Sequence, residues 1–335
     1  MIAFTCSGTG GHIYPAIAVA QKIGHQKSIF IIEKDRLAAS VIPKYGFNCA
    51  KINFKLKYVF SWIPTLLTVI SILRKHDVTK LISTGGYATL PVVIAAWLLR
   101  IPVTLLEQNS IPGRANRFLA FFATKICISF DYSKSYFKHK HVYLTGNPIR
   151  QVYPKDPLVE KLLALHWGKG KNLLIFGGSQ GAESINNTIL NLKLFFKKES
   201  INVIHIVGRK YYDQHFSNDS PIIEKDQLSN CIYAIVDYVE NMDKLYQWTD
   251  FVISRAGATS IAELLFYQKP ALLIPYPYAT DNHQEYNADE LIKLGLAQKT
   301  SIDTISEQYL KAFFSSDFKI NASSNRNVNL DTIIN

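Results

Sequence analysis

The chain has 335 residues, 48% of them hydrophobic, enough for more than one buried core and long for a single ordinary domain. Lys and Arg number 37 against 26 Asp and Glu, a net charge of +11 that favours nucleic acid, anionic lipid headgroups or a phosphorylated substrate without choosing among them. Cys6, Cys49, Cys127 and Cys231 form no C-x-x-C pair and lie mostly in apolar runs, which argues against a disulfide or zinc framework, and the longest uncharged stretch, 58–73, contains Pro64 and is shorter than the roughly 20 residues that span a bilayer.

Residues 1–7 lack a basic leader and run directly into a glycine turn, so they read as a strand rather than a signal peptide. Short β-branched runs predict strands at 2–6, 28–32, 80–83, 103–107, 125–129 and 141–144, and helical patterns fall at 14–23, 36–45, 65–74, 90–99 and 113–122. Strand and helix in alternation predict a parallel sheet covered on both faces. The stretch Gly146-Asn147-Pro148-Ile149-Arg150, followed by Tyr153-Pro154-Lys155-Asp156-Pro157, suits a linker and places a boundary near Pro148, dividing the chain into 1–148 and 149–335. The pattern then restarts with strands at 172–176, 202–207, 232–235, 250–254 and 271–274 and a helix at 184–196. The expected class is α/β, two doubly wound parallel sheets in tandem. The Ser- and Asn-rich tail 315–329 is expected to be irregular, and 330–334 is a candidate fragment of helix.

Gly8-Thr9-Gly10-Gly11-His12 follows the first strand, with Pro15 where a helix tolerates it. Glycine lets the backbone approach a ligand closely, and the free N–H groups of a helix start favour an anion or polar oxygen. A dinucleotide fingerprint fails because Ile13 stands at its third glycine position, although Glu33 lies at a plausible distance for a ribose acid. The alternative is a tight turn with a structural histidine. Placed at the carboxyl end of the first strand, His12 is nevertheless a candidate base.

Phe176-Gly177-Gly178-Ser179-Gln180-Gly181 repeats the device at the start of the second half. Two such loops, each opening a doubly wound domain, predict two ligand-approach loops on facing strand ends with a cleft between them. Ser254-Arg255-Ala256-Gly257-Ala258 runs through Thr259, Ser260, Ile261 and Ala262 to Glu263, whose carboxylate suits a vicinal diol or, more plainly, a helix N-terminus. The loop Pro275-Tyr276-Pro277-Tyr278-Ala279-Thr280-Asp281-Asn282-His283-Gln284 concentrates polar groups suited to carbohydrate. Ser83-Thr84-Gly85-Gly86-Tyr87 and Glu107-Gln108-Asn109-Ser110 also follow strands and offer donors and acceptors for a sugar or pyrophosphate. No two aspartates stand two residues apart, so no metal is expected on a diphosphate, whose charge then falls to backbone N–H groups, a helix dipole and a basic side chain. The segment 65–75 is apolar apart from Thr65, Thr68 and Ser71, and Lys55, Lys57, Arg74 and Lys75 flank it, the pattern of an interfacial helix or of one buried on both sides.

The combination G-T-G-G-H, G-G-Y, E-Q-N, G-N-P-I-R, G-G-S-Q-G, R-x-G-A and D-N-H-Q, spread over residues 5–299, resembles the MurG family of N-acetylglucosamine transferases. The resemblance implies the GT-B architecture of two facing Rossmann-like domains, an acceptor-binding, membrane-associating N-terminal domain and a UDP-GlcNAc-binding C-terminal one. It implies inverting transfer of GlcNAc from UDP-GlcNAc to lipid I, without a cofactor, at the cytoplasmic face of the bacterial inner membrane, with an anionic membrane surface rather than nucleic acid as partner. By residue, it implies that Thr9, Gly10, Gly11, Asn109 and Arg150 touch the donor and that Ser179 binds the diphosphate region. Val239 would frame uracil, Ala258 to Glu263 would line the sugar and ribose, Gln284 would bind GlcNAc, and His12 matches the family's proposed base. The C-terminal region is short by the family's pattern, which leaves open its closing helix on the first domain. Rival readings are another GT-B enzyme, such as a glycolipid synthase or UDP-GlcNAc 2-epimerase, a non-catalytic nucleotide-sugar-binding protein, and a nicotinamide oxidoreductase.

Overall fold

The computed structural model describes residues 1–34, 36–54, 62–179, 181–217, 219–318 and 328–335. The chain forms two compact units, with the division between Val152 and Tyr153. It falls there because Gln21 ties the segment after Arg150 to the first unit, donating from Nε2 to the Val152 carbonyl and accepting from the Gln151 N–H.

The first unit contains β1 (Ile2–Thr5), α1 (Gly10–Ile23), β2 (Ser28–Glu33), α2 (Leu37–Val41), β3 (Asn48–Ile52), α3 (Trp62–Lys75), β4 (Lys80–Ser83), α4 (Leu90–Leu98), β5 (Val103–Glu107), α5 (Arg114–Leu119), β6 (Lys125–Ile128) and β7 (Val142–Leu144). Its strands pair in parallel in the order β3-β2-β1-β4-β5-β6-β7. Alternation along the strands divides the core. Ala3, Ile29, Ile31, Leu81, Leu105 and Ile126 join Val69 and Leu73 of α3 and Val92 and Val93 of α4 on one face. Phe4, Phe30, Ile32, Ile82 and Leu106 meet Ile13 and Ile17 of α1 on the other.

The second unit continues with α6 (Pro157–Leu163), β8 (Lys171–Phe176), α7 (Glu183–Asn191), α8 (Lys193–Lys198), β9 (Ile201–Ile206), α9 (Arg209–His215), β10 (Ile222–Lys225), β11 (Ile232–Val236), α10 (Met242–Trp248), β12 (Phe251–Ser254), α11 (Ala258–Tyr267), β13 (Ala271–Leu273), α12 (His283–Lys293), β14 (Ala297–Lys299) and α13 (Glu307–Phe314). The sheet order is β10-β11-β9-β8-β12-β13-β14, parallel except for β10. Ile175, Val203, Ile235, Ile253 and Leu272 pack with Ile185, Phe196 and Phe313 on one face.

The strands not expected from sequence, β3, β10 and β14, are all sheet edges. An edge strand buries fewer side chains, and the pattern of β10 alternates between half-buried and exposed, so the apolar signal is weak. The helix expected at 184–196 is two, α7 and α8, separated at Leu192. From sequence, everything after 148 belongs to one domain, but the described residues 328–335 group with the first unit. There α14 (Leu330–Ile334) buries Ile333 in the α1 core. Lys80 donates to the carbonyls of Ile334 and Asn335 and Lys125 to that of Thr332, placing cations where the helix carbonyls end.

The apolar helix expected at 65–75 is α3, and its three hydroxyl residues do not share one face, since Thr68 and Ser71 are exposed and Thr65 is not. Thr65 is buried, donating to the Asn53 carbonyl at 2.7 Å, in line with Val69 and Leu73, while Ile63 and Leu67 are 69% and 61% exposed. Lys55 and Lys57 lie outside the described residues.

His205 is fully buried in the second unit, between the Tyr233 hydroxyl at 2.9 Å and Asn186 Oδ1 at 3.1 Å. The amide oxygen can only accept, so Nε2 carries the proton and Nδ1 accepts from Tyr233. Burial, reinforced by Lys193, pulls the imidazole pKa from 6.5 to about 3. A lowered histidine pKa contributes stability that is fully present above 6.5 and is lost as the pH falls toward 3. Denaturant unfolding of wild type and His205→Gln across pH 3–7 should therefore give a difference in stability that narrows on acidification. A difference independent of pH contradicts a neutral His205.

Candidate functional site

A strand buried on both faces has no side chain free for a ligand along its length, so polar chemistry collects at strand ends. In a doubly wound sheet it collects where neighbouring crossovers run in opposite directions. That point lies between β1 and β4 in the first sheet and between β8 and β12 in the second.

In the first unit, the loops after β1 and β4 are tied together by the Ser7 N–H on the Gly85 carbonyl, the Thr84 N–H on Thr5 and the Thr84 hydroxyl on the His12 carbonyl at 2.7 Å. Gly86 has φ +94°, and a Cβ there would sit 2.6 Å from the Ser7 carbonyl oxygen, so only glycine allows this approach. Thr9 is the exposed N-cap of α1, Gly10 and Gly11 form its first turn, and His12 follows, half-buried. His12 Nδ1 lies 2.7 Å from the Thr84 carbonyl oxygen and 3.0 Å from Gln108 Oε1. A carbonyl only accepts, so Nδ1 carries a proton and the neutral ring keeps its basic lone pair on Nε2.

The loop after β5 is built on Glu107, 1% exposed. Its carboxylate accepts from the N–H groups of Asn109 and Gly113 and from the side-chain amides of Asn109 and Asn116. Several N–H donors make a buried carboxylate tolerable. They fix the half-buried Asn109, while the neighbouring Gln108, whose Nε2 donates to the Leu106 carbonyl, holds the ring of His12. Arg150 packs against α1. It is 4% exposed, donates to the Tyr45 hydroxyl at 2.7 Å and stacks 3.7 Å from the Tyr14 ring centre.

In the second unit, Ser179 is exposed on the glycine turn after β8, where Gly181, with φ +77°, leaves room for the Val207 carbonyl. Val239 is buried in the loop after β11. Residues Ala258, Thr259, Ser260, Ile261, Ala262 and Glu263 are the first six of α11, which starts at the switch point. Glu263 lies beyond the first turn of α11, 5% exposed, and accepts from the Tyr246 hydroxyl at 3.0 Å. Gln284, the second residue of α12, accepts the Tyr276 N–H through Oε1 at 3.0 Å.

Sequence alone does not mark the side chains that organise these loops. Thr84, Gln108 and Glu107 stand inside motifs, but nothing in a motif says which group holds another. Arg255 donates to the Ile274 and Pro275 carbonyls and to the Ser184 hydroxyl, joining the ends of β12 and β13 to α7. Burial lowers its pKa, an effect that Tyr276 opposes. Among the described residues, no group of three or more His, Cys, Asp and Glu is arranged to hold a metal ion.

The model of the glycosyltransferase family 28 N-terminal domain matches residues 2–128, and that of the glycosyltransferase family 28 C-terminal domain matches 172–330. The UDP-N-acetylglucosamine--N-acetylmuramyl-(pentapeptide) pyrophosphoryl-undecaprenol N-acetylglucosamine transferase of Halothermothrix orenii is 40% identical over 313 residues, 88% of this chain and 84% of that protein. The crystal structure of Acinetobacter baumannii MurG is 24% identical with a TM-score of 0.69, covering 99% of this chain and 93% of that one. The UDP-GlcNAc 2-epimerase of Methanocaldococcus jannaschii has a TM-score of 0.67 at 12% identity, covering 99% and 97%. Both structures share the fold of two Rossmann-like domains, so the fold does not separate transferase from epimerase.

Replacing Gly86 by alanine should destabilise the first unit by about 1–3 kcal/mol, because a positive φ and a backbone clash coincide there. Thermal unfolding measures it, and an unchanged melting temperature would mean the two loops are not locked as described.

Proposed function

Because the chain belongs to glycosyltransferase family 28, we propose that it transfers N-acetylglucosamine from UDP-GlcNAc to the C4 hydroxyl of N-acetylmuramyl-pentapeptide pyrophosphoryl-undecaprenol, lipid I, giving lipid II for peptidoglycan. The 40% identity to a transferase of that name supports the substrates. The geometry that supports the chemistry is His12, held at the switch point of the first sheet with its Nδ1 proton on Thr84 and, among the described residues, no hydrogen-bond partner on its basic Nε2.

The acceptor O4 forms a bond to the anomeric carbon as the bond from that carbon to the UDP phosphate oxygen breaks, inverting the centre. His12 Nε2 takes the hydroxyl proton, and the electron pair of the broken bond leaves with UDP. The first unit takes the acceptor and the second the donor. Backbone N–H groups around Gly177 to Ser179 meet the diphosphate charge without a metal ion, and the α11 segment from Ala258 to Glu263, with Gln284, takes ribose and sugar. The neighbouring positions of Thr9, Gly10, Gly11 and Asn109 support their contacts with substrate. Arg150 also holds Tyr14 and Tyr45 in this arrangement.

The experiment is transfer from labelled UDP-GlcNAc to a lipid I analogue, with and without excess EDTA. Transfer should survive the chelator, and His12→Ala should lower kcat by about 10²–10⁴-fold with the fold intact. Chelator inactivation rescued by magnesium would overturn the metal-free reading. Conversion of UDP-GlcNAc with no acceptor present would favour the epimerase.

No helix among the described residues is long and apolar enough to cross a membrane. We place the protein peripherally at the cytoplasmic face of the inner membrane, and the exposed apolar side chains of the first unit support contact with a membrane surface. Ile63 and Leu67 of α3 stand out from the sheet, α4 packs beside α3 and presents Trp97 and Leu98, and Phe118 and Phe121 follow near Phe122, which packs on Trp97. Burial of each such side chain yields about 1.5–3 kcal/mol, enough for reversible adhesion. In co-sedimentation with anionic liposomes, Ile63→Ser/Leu67→Ser should weaken binding at every salt concentration. Arg74→Glu/Lys75→Glu should weaken it chiefly at low salt, where screening is slight. Wild-type binding by both folded variants would remove α3 from the surface that docks.

A further inference from the structure

We propose that Asp156, in the segment that opens the second unit, is a positioning residue for the base of the donor nucleotide. This rests on the reading above that the second unit takes the UDP-sugar. Asp156 is 9% exposed, and its two carboxylate oxygens have different tasks. Oδ1 accepts the Val159 N–H at 3.3 Å and caps α6. Oδ2 accepts the N–H groups of Glu240 at 2.8 Å and Asn241 at 3.2 Å, more than eighty residues further along the chain.

Those two N–H groups close the loop that leaves β11 at its carboxyl end and carries the buried Val239. The beginning of the loop is held separately. The Asp237 N–H donates to the Ser220 hydroxyl, and the Arg209 guanidinium lies 3.8 Å from the Asp237 carboxylate and 4.9 Å from the Tyr238 ring centre. The far end is held by Asp156 and runs into α10, whose Tyr246 reaches Glu263. A flat heterocycle is read by backbone donors and acceptors held at fixed spacing, and a loop anchored at one end alone does not hold that spacing. The loop also has a buried acceptor, Asn241 Oδ1, without a hydrogen-bond partner among the described residues, of the kind a ligand N–H completes. A charged carboxylate gives the anchor roughly twice the strength of a neutral one. Through it, the turn-rich segment that joins the two sheets sets the shape of the base-facing loop.

The two tasks can be separated because serine caps a helix about as well as aspartate but has one oxygen. Asp156→Ser keeps the α6 cap and loses the bonds to Glu240 and Asn241. Calorimetric titration of the full chain with UDP, CDP and inorganic pyrophosphate is the test, with donor and acceptor kinetics alongside. For Asp156→Ser we expect UDP affinity to fall about tenfold, the preference for UDP over CDP to narrow, and pyrophosphate affinity, kcat and acceptor KM to stay at wild-type values. If the serine variant does not fold, Asp156→Asn serves equally, since its single carbonyl oxygen caps α6 and its amide nitrogen cannot accept from the loop. Wild-type affinities in a folded variant, or equal losses for UDP and pyrophosphate, would overturn the role of Asp156. Failure of the wild-type protein to bind UDP would instead remove the donor reading on which it rests.

Discussion

Pairing on both sides of every interior strand, parallel except where β11 meets β10, is the constraint from which the rest follows. Each interior strand has its backbone hydrogen bonds in the ladder and both its faces under helices, so Phe4, Ile31, Leu105, Ile175 and Val203 can only be apolar. Polar and flexible residues are displaced to the strand ends, and the loops at the carboxyl ends carry the glycines, amides and hydroxyls of both units. The sheet orders fix which of these loops are neighbours: those after β1 and β4 in one unit and after β8 and β12 in the other.

The loops would remain a set of mobile turns without the buried polar groups beneath them. Glu107 orders Asn109, Gly113 and Asn116; Thr84 and Gln108 fix the tautomer of His12; Arg255 joins three loop ends in the second unit. In each case a buried charge or ring is made tolerable by several specific hydrogen bonds, so the penalty for disorder in the loop is the exposure of an unpaired group. A general base gains from this, because an imidazole pinned through Nδ1 offers its other nitrogen in a fixed direction.

The helices on the outer faces answer to a different balance. α1 and α4, apart from Trp97 and Leu98 at the end of α4, have many apolar residues buried, whereas α3 buries only the line of Thr65, Val69 and Leu73 and leaves Ile63 and Leu67 in solvent. An apolar surface left uncovered on an otherwise well-packed unit is a surface with a use. The last helix shows the opposite case, since α14 is too short to be stable by itself and depends on the α1 core and on two lysines at its end.

Much of this was written in local sequence. Interior strands are recognisable from continuous apolar runs because burial on both faces leaves no freedom in their composition. The glycine turns are recognisable because positive φ and close backbone approach exclude other residues, and the motifs around His12, Ser179 and Glu263 fall at the strand ends proposed to carry chemistry. Edge strands β3, β10 and β14 were not legible, since one unpaired side relaxes the demand for apolar residues. Nor was the return of α14 to the first unit, the burial of Thr65 on the sheet side of α3, or the stacking of Arg150 on Tyr14 of α1. Asp156 read as part of a linker and is an anchor, because its partners Glu240 and Asn241 are distant in sequence. Local patterns record what each residue needs from its immediate backbone, and they determined the two sheets and the glycine- and amide-rich loops at their strand ends. Which buried side chain satisfies which distant loop depends on pairings that exist only after the strands have assembled, and that was decided by the tertiary structure.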